Sequence, residues 1–181
     1  MKICSYLLCF VLVFYSCQSI KTSTLFLENG ISKDLAVYRK SQVLNVSYDL
    51  SFEIPKEKEL PIISQLALKV NLGTIQEPLY LDFNEKKENL KSVIVNGKMV
   101  VILHEKEHLI IPKEYLIKGH NLVEVYFIAG DLSLNRSDDF LYTLLVPDRA
   151  STLFPCFDQP DIKAAYTLSI TAPKGWSVLA G

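Results

Sequence analysis

The sequence predicts an all-β fold, an antiparallel sandwich or a pair of twisted sheets. Three observations point there. From Leu44 to Ile54 the apolar residues Leu44, Val46, Tyr48, Leu50, Phe52 and Ile54 alternate with Asn45, Ser47, Asp49, Ser51 and Glu53. That period of two is the mark of a strand with one buried and one wet face. Further short alternating runs follow, separated by turn residues, and no long amphipathic helix interrupts them. The apolar fraction of 49% and charged fraction of 22% are those of a chain with a real core.

Each element can be justified in turn. Ser32 to Lys40 suits a short helix or turn. After the strand at 44–54, Pro55 to Pro61 encloses Lys56-Glu57-Lys58-Glu59 and reads as a solvated turn. Leu66, Leu68, Val70 and Leu72 give a second strand, and Leu79, Leu81 and Phe83 a third. Asn84 to Asn89 is a polar loop. Val93 to Val100 reads as a tight hairpin, because Asn96-Gly97 accepts the positive φ angles of a type I′ turn. Val101 to Leu103 and Leu109 to Ile111 bracket a charged tip, and Val123, Val125 and Phe127 mark another strand. Asp131 to Asp139 is a polar loop; Phe140 to Val146 resumes strand character. Tyr166, Leu168 and Ile170 alternate with Thr167, Ser169 and Thr171. Pro173-Lys174-Gly175 turns into a last strand, Trp176 to Leu179, which would continue into further strands. If the chain stops at Gly181, the expectation is an unpaired edge and uncovered apolar surface there.

Length and charge bound the rest. The 181 residues fit one domain with appendages, and a net charge of −1 without a basic stripe gives no electrostatic case for nucleic acid, so none is expected as a partner. Lys2 precedes an apolar run from Ile3 to Tyr15, too short for a bilayer-spanning helix but suited to a secretory leader. Ser16-Cys17 at its end resembles a lipoprotein processing site with Cys17 lipidated, although Phe14 and Tyr15 are larger than usual there. The division is then a signal peptide over 1–17, a tether over 18–32 and a β domain over 33–181. Cys4 and Cys9 leave with the leader and Cys17 carries lipid, so Cys156 stands alone and no intrachain disulfide forms. An exported lipoprotein, periplasmic or associated with the outer membrane through its lipid, is the expectation.

One motif invites a catalytic reading. His104-Glu105-Lys106-Glu107-His108 spells H-E-x-x-H, a zinc site when carried on a helix. Here it lies between Val100-Val101-Ile102-Leu103 and Leu109-Ile110-Ile111, runs that favour strand. Residues four apart on a strand are separated by roughly 13 Å, too far to share a metal. At a hairpin tip the two imidazoles can face each other, which leaves only a weak adventitious site. We therefore expect no catalytic and no metal-binding residue here, and no cofactor. Ser and Thr residues lie in no Gly-x-Ser-x-Gly elbow. Cys156, between Pro155 and Phe157, reads as a buried, unreactive thiol. Asp158 and Asp161 can form a carboxylate pair, but Asp158 reads better as the cap of a turn that Pro160 begins. His120 has no partner that would make it functional.

The stretch Phe154-Pro155-Cys156-Phe157-Asp158-Gln159-Pro160, followed by Asp161-Ile162-Lys163-Ala164, resembles a signature of the aminopeptidase N family of zinc metallopeptidases, the gluzincins. Tyr38-Arg39-Lys40 before Asn45–Phe52, Asp139–Thr143 leading to Pro147-Asp148-Arg149-Ala150, and Ala172–Trp176 also fit. Gly130–Arg136 and the leader resemble the lipoprotein branch from the Bacteroidetes. The similarity covers residues 33–181.

The resemblance implies the family's N-terminal β domain, with saddle-like sheets, and signature residues Phe154 to Pro160 and Lys163 in a structural role. It implies that zinc belongs to a downstream thermolysin-like domain carrying Gly-x-Met-Glu-Asn and a helical H-E-x-x-H, supplied separately or lost. His104 and His108 lie too early to be its ligands, and the position nineteen beyond His108, where the family has Glu, is Phe127. Where that family's domain often gives the cleft a Gln, this chain has Leu144. Three functions follow: a non-catalytic N-terminal domain present as a short or truncated chain, a self-standing exported binding or structural lipoprotein, or a small zinc hydrolase using His104 and His108.

Overall fold

A computed structural model describes residues 27–180; the leader, Cys17 and most of the tether lie outside them. The chain order is helix α1 (Lys33–Gln42), then strands β1 (Val43–Glu53), β2 (Ile63–Leu72), β3 (Leu79–Asp82), β4 (Leu90–Val95), β5 (Lys98–Val100), β6 (Leu103–Glu105), β7 (His108–Ile111), β8 (Gly119–Ile128), β9 (Leu134–Arg136), β10 (Leu141–Thr143) and β11 (Ala165–Thr171). α1 begins where Ser32 accepts a hydrogen bond from the Leu35 amide, and Asp34 in its first turn and Arg39 and Lys40 in its last suit the helix dipole.

Three layers result. A six-stranded sheet, ordered β11-β1-β2-β8-β4-β5, packs on a three-stranded sheet, β3-β7-β6. The core between them joins Tyr48, Leu50, Leu66, Leu68, Val123 and Val125 of the large sheet to Leu79, Leu81, Leu109 and Ile111 of the small one. The opposite face of the small sheet buries Tyr80 and Ile110 against Leu35 of α1. Strand alternation puts Leu79, Leu81 and Phe83 on the core side of β3, and Tyr80 and Asp82 on the helix side.

The strands expected at 44–54, 66–72, 79–83, 93–100 and 123–127 are present, and Asn96 (φ 51°) and Gly97 (φ 78°) make the predicted turn. The structure departs from expectation in five places. The large sheet is antiparallel except at its edge, where β11 pairs in parallel with β1, Tyr166 opposite Tyr48. Leu44 is 60% exposed, because a register irregularity between Val43 and Asn45 puts Val43 inside in its place. The loop 131–139 contains β9, and the strand expected at Phe140–Val146 is only β10, paired with β9 as a separate flap. Trp176 to Leu179 forms no strand. Among the described residues, nothing packs closely over Tyr166 and Leu168 of β11, because the small sheet does not reach that edge.

Arg136 holds the flap in place. Its guanidinium donates to the carbonyls of Pro55, Glu57, Lys58 and Leu60, so the charged turn between β1 and β2 wraps one cation. At the flap's other root, Gly130 donates to the Leu153 carbonyl, and Ser133 Oγ donates to the Arg149 carbonyl at 3.0 Å. A Cβ on Gly130 would collide with the Thr152 carbonyl oxygen and with Glu85 Oε1. Backbone cannot give way there as a flexible side chain can. We expect Gly130→Ala to lower stability by about 1–3 kcal/mol, measured as a fall in the urea midpoint without a change in slope.

Candidate functional site

The chemistry-bearing residues meet on the helix side of the small sheet. Asp82 ends β3 and His108 starts β7, directly across the ladder, so both side chains point towards α1. Arg39, in the last turn of that helix, reaches down to them. Its Nη1 lies 2.8 Å from Asp82 Oδ2 and its Nη2 2.6 Å from Oδ1, a bidentate pair, and Nη2 also donates to the Tyr80 carbonyl at 2.9 Å. All three residues are buried. His108 Nδ1 stands 2.9 Å from Asp82 Oδ1, within ion-pair distance although the ring N–H is not aimed along that line. His108 Nε2 donates to the Glu28 carbonyl at 3.2 Å.

The signature stretch closes this cluster from the other side. Asp82 and Cys156 exchange backbone hydrogen bonds at 2.7 and 3.0 Å, and the Asp158 amide donates to Asp82 Oδ2 at 2.9 Å. The Phe157 ring lies 5.6 Å from the Arg39 guanidinium carbon, and its amide donates to Tyr48 Oη at 2.9 Å. Phe154 meets Tyr48 and Phe52 edge to face. Gln159 donates from Nε2 to the Ala36 carbonyl of α1 and to Asp161 Oδ1. Pro155 is buried, while Pro160 and Lys163 are exposed and take no part. The signature is thus a clasp joining the large sheet, the small sheet and the helix.

Electrostatics follow from burial. Burial alone would raise the Asp82 carboxyl, but the Arg39 charge, the His108 contact and the Asp158 amide together hold it below the ordinary value. Burial pushes the Cys156 thiol well above its usual range, with Asp158 and Asp82 adding to it, so the thiolate needed for reaction is suppressed. Asp158 is raised by burial. Its Oδ2 accepts from the Ser151 amide at 2.9 Å, so it caps the single turn Ala150–Thr152 behind it. The expected cap on the turn at Pro160 is not what it makes.

His104 and His108 do not face each other. His104 pairs with Leu109, and His108 with Glu105, so the two rings leave opposite faces of the hairpin. His104 Nε2 donates to the Phe83 carbonyl at 2.8 Å on the core side, while His108 enters the charge cluster. The hairpin turns through Lys106 (φ 49°) and Glu107 (φ 66°), a turn without glycine. Glu107 stabilises it, its carbonyl accepting from the Phe83 amide and its Oε2 from the Gly30 amide. Among the described residues, no group of three or more His, Cys, Asp or Glu side chains is placed to hold a metal ion. A shallow cavity of about 190 Å³ on the outer face of the large sheet, lined by Asp49, Gln65, Ala67, Glu124 and Tyr126, lies apart from the cluster. His120 is exposed at the start of β8.

Sequence reasoning singled out the signature but not Asp82, and met Arg39 only as flanking text. A signal for Asp82 existed: a lone acid inside Leu79-Tyr80-Leu81-Asp82-Phe83 needs a partner if that run is buried. Nothing in the sequence says that the partner is Arg39, 43 positions earlier.

Removing one member strands the other charge. We expect Arg39→Met to cost about 3–5 kcal/mol, measured by urea unfolding. Because the Asp82 carboxyl is depressed when folded, its contribution is present above the ordinary carboxylate value of 3.8 and is lost as pH falls through the lower folded value. The stability difference between the wild type and Asp82→Asn should therefore shrink below about pH 3.8 and hold steady above it.

Comparison with known proteins places this arrangement. Residues 33–181 match the model of the peptidase M1 N-terminal domain. An aminopeptidase N of Streptomyces lividans is 36% identical over 77 residues, covering 36% of this chain and 9% of that one. Among solved structures, leukotriene A4 hydrolase from Saccharomyces cerevisiae superposes at a TM-score of 0.59 with 19% identity, over 72% of this chain and 23% of that one. An M1 zinc metallopeptidase from Deinococcus radiodurans gives 0.54 with 19% identity, over 71% and 32%. Aminopeptidase A of Legionella pneumophila gives 0.55 with 20% identity, over 71% and 16%. At these identities the structures establish the fold, and the chain spans a third or less of each relative's length. The match over 33–181 establishes the family: the chain belongs to the M1 peptidases, and these residues form their N-terminal domain.

Proposed function

We propose that residues 33–181 act as the non-catalytic domain of an aminopeptidase N-like zinc metallopeptidase, exported and held to a membrane by lipid on Cys17. The observation that carries this reading is the family match to the N-terminal domain, on a chain whose Arg39, Asp82, His108 and His104 side chains are all occupied by structural contacts. The domain's contribution is then a surface. The flap presents Leu132, Phe140, Tyr142, Leu144 and Val146 to solvent, with the Phe140 and Tyr142 rings stacked at 6.1 Å. Exposed apolar residues this close in sequence support a docking role, and the occupant that the family relation favours is an M1 catalytic domain. Leu144, 54% exposed, offers that partner packing surface and no side-chain acceptor for a substrate amine.

A self-standing exported binding or structural lipoprotein is the second reading. The main core, built between the two sheets and the signature stretch from this domain's own residues, favours it.

The test is aminoacyl-4-nitroanilide release. We expect none from the purified chain supplied with zinc, and release when an M1 catalytic domain is added or fused. Leu144→Glu should weaken that association by about tenfold or more. Zinc-dependent turnover by the chain alone, abolished by His104→Ala, would restore the hydrolase reading. No association with a catalytic domain would favour the second. For the anchor, we expect labelled palmitate to enter the wild type and not Cys17→Ser.

A further inference from the structure

We propose that Asn29-Gly30 is a self-modifying site, at which Asn29 deamidates with Glu107 as the base and so loosens the segment ahead of α1. The sequence holds this dipeptide twice, at Asn29-Gly30 and at Asn96-Gly97. Asparagine before glycine is the pair most open to ring closure, because no Cβ shields the attacking glycine nitrogen. Both glycines have positive φ, 74° at Gly30 and 78° at Gly97, so their conformation does not separate the two sites. The asparagine side chains do.

Asn96 is held at both polar atoms of its side chain. Its Nδ2 donates to the Tyr115 carbonyl and to Asn121 Oδ1, both at 2.9 Å, and its Oδ1 accepts from the Leu122 amide at 3.0 Å. Turning that amide towards Gly97 would break all three bonds. Asn29 is exposed, and among the described residues no hydrogen bond restrains its side chain. What is fixed at this site is the nucleophile. The Gly30 amide donates to Glu107 Oε2 at 2.9 Å, so a carboxylate already sits on the proton that attack must remove. That is the placement a general base needs.

The Gly30 nitrogen bonds to Asn29 Cγ as its proton passes to Glu107. The Cγ–Nδ2 bond then breaks, and Nδ2 takes the proton from Glu107 and leaves as ammonia. Water, the only other reactant, opens the five-membered imide at either carbonyl, giving an aspartyl or isoaspartyl residue at position 29. The segment concerned is tied to the small sheet at three points. Leu27 packs against the Leu35, Tyr80 and Ile110 cluster, the Glu28 carbonyl accepts from His108 Nε2 at 3.2 Å, and the Gly30 amide binds Glu107. The imide has no N–H, so the third tie is lost as the ring closes. Hydrolysis then leaves a new negative charge close to the Glu107 carboxylate, which opposes its return. The hairpin that spells H-E-x-x-H thus holds a strap that loosens once. This proposal does not rest on docking to a catalytic domain, which uses the flap.

The test is incubation of the purified chain at neutral pH, with peptide mass spectrometry and isoaspartate detection at both asparagines. In the folded chain Asn29 should convert about tenfold or more faster than Asn96. In urea the two should convert at similar rates, because neither the Asn96 ties nor the Glu107 contact survives unfolding. Glu107→Gln keeps an acceptor for the Gly30 amide but supplies no base, and should slow Asn29 by about tenfold or more; circular dichroism confirms that it folds. By NMR hydrogen exchange, the Gly30 amide should exchange faster in Asn29→Asp than in the wild type. Equal rates at the two asparagines in the folded chain overturn the proposal, a comparison that needs no variant. So does an Asn29 rate unchanged or raised by Glu107→Gln, or a Gly30 amide that exchanges no faster in Asn29→Asp.

Discussion

Asp82 is the residue on which the rest of this domain depends. One carboxylate, buried at the end of a four-residue strand, receives a bidentate guanidinium from the helix, a histidine contact across the ladder and an amide from the signature stretch. Its backbone is paired with Cys156 at the same time. An ionised carboxylate out of water is tolerated only when its lone pairs are occupied. Each occupant here comes from a different part of the chain, so the constraint is geometric as much as energetic. Helix, small sheet and signature must all be in place for this carboxylate to keep its partners.

The same economy explains why residues that look reactive are inert. A cysteine, two histidines and several acids lie near one another, the raw material of a hydrolytic site. Cys156 is sealed by burial, His104 and His108 leave opposite faces of their hairpin, and Asp158 caps a turn. Their polarity holds layers together. The neighbouring aromatics Tyr48, Phe52, Phe154 and Phe157 perform the apolar half of the same task, joining the signature to the large sheet through edge-to-face contacts and through the Tyr48 hydroxyl.

With these polar groups turned inward, the distinctive surface among the described residues is the flap. The flap, wrapped onto the β1–β2 turn by Arg136, carries exposed aromatics on a rigid support.

The all-β class, most of the strands and the Asn96-Gly97 hairpin were legible in the sequence, because period-two alternation and turn chemistry act over a few residues. The Phe154–Pro160 signature was legible too, as a run whose prolines and aromatics demand a particular setting. The partners were not. That Arg39 answers Asp82, that Arg136 wraps the Pro55–Leu60 turn, and that Gln159 grips Ala36 depend on contacts between residues far apart in sequence, which no local pattern records. Burial of β11 escaped local reading for a related reason. Tyr166, Leu168 and Ile170 alternate as faithfully as Tyr48, Leu50 and Phe52, yet among the described residues only the latter are buried. Alternation says that a strand has an apolar face; whether another layer reaches that face is decided by where the strand sits in the sheet.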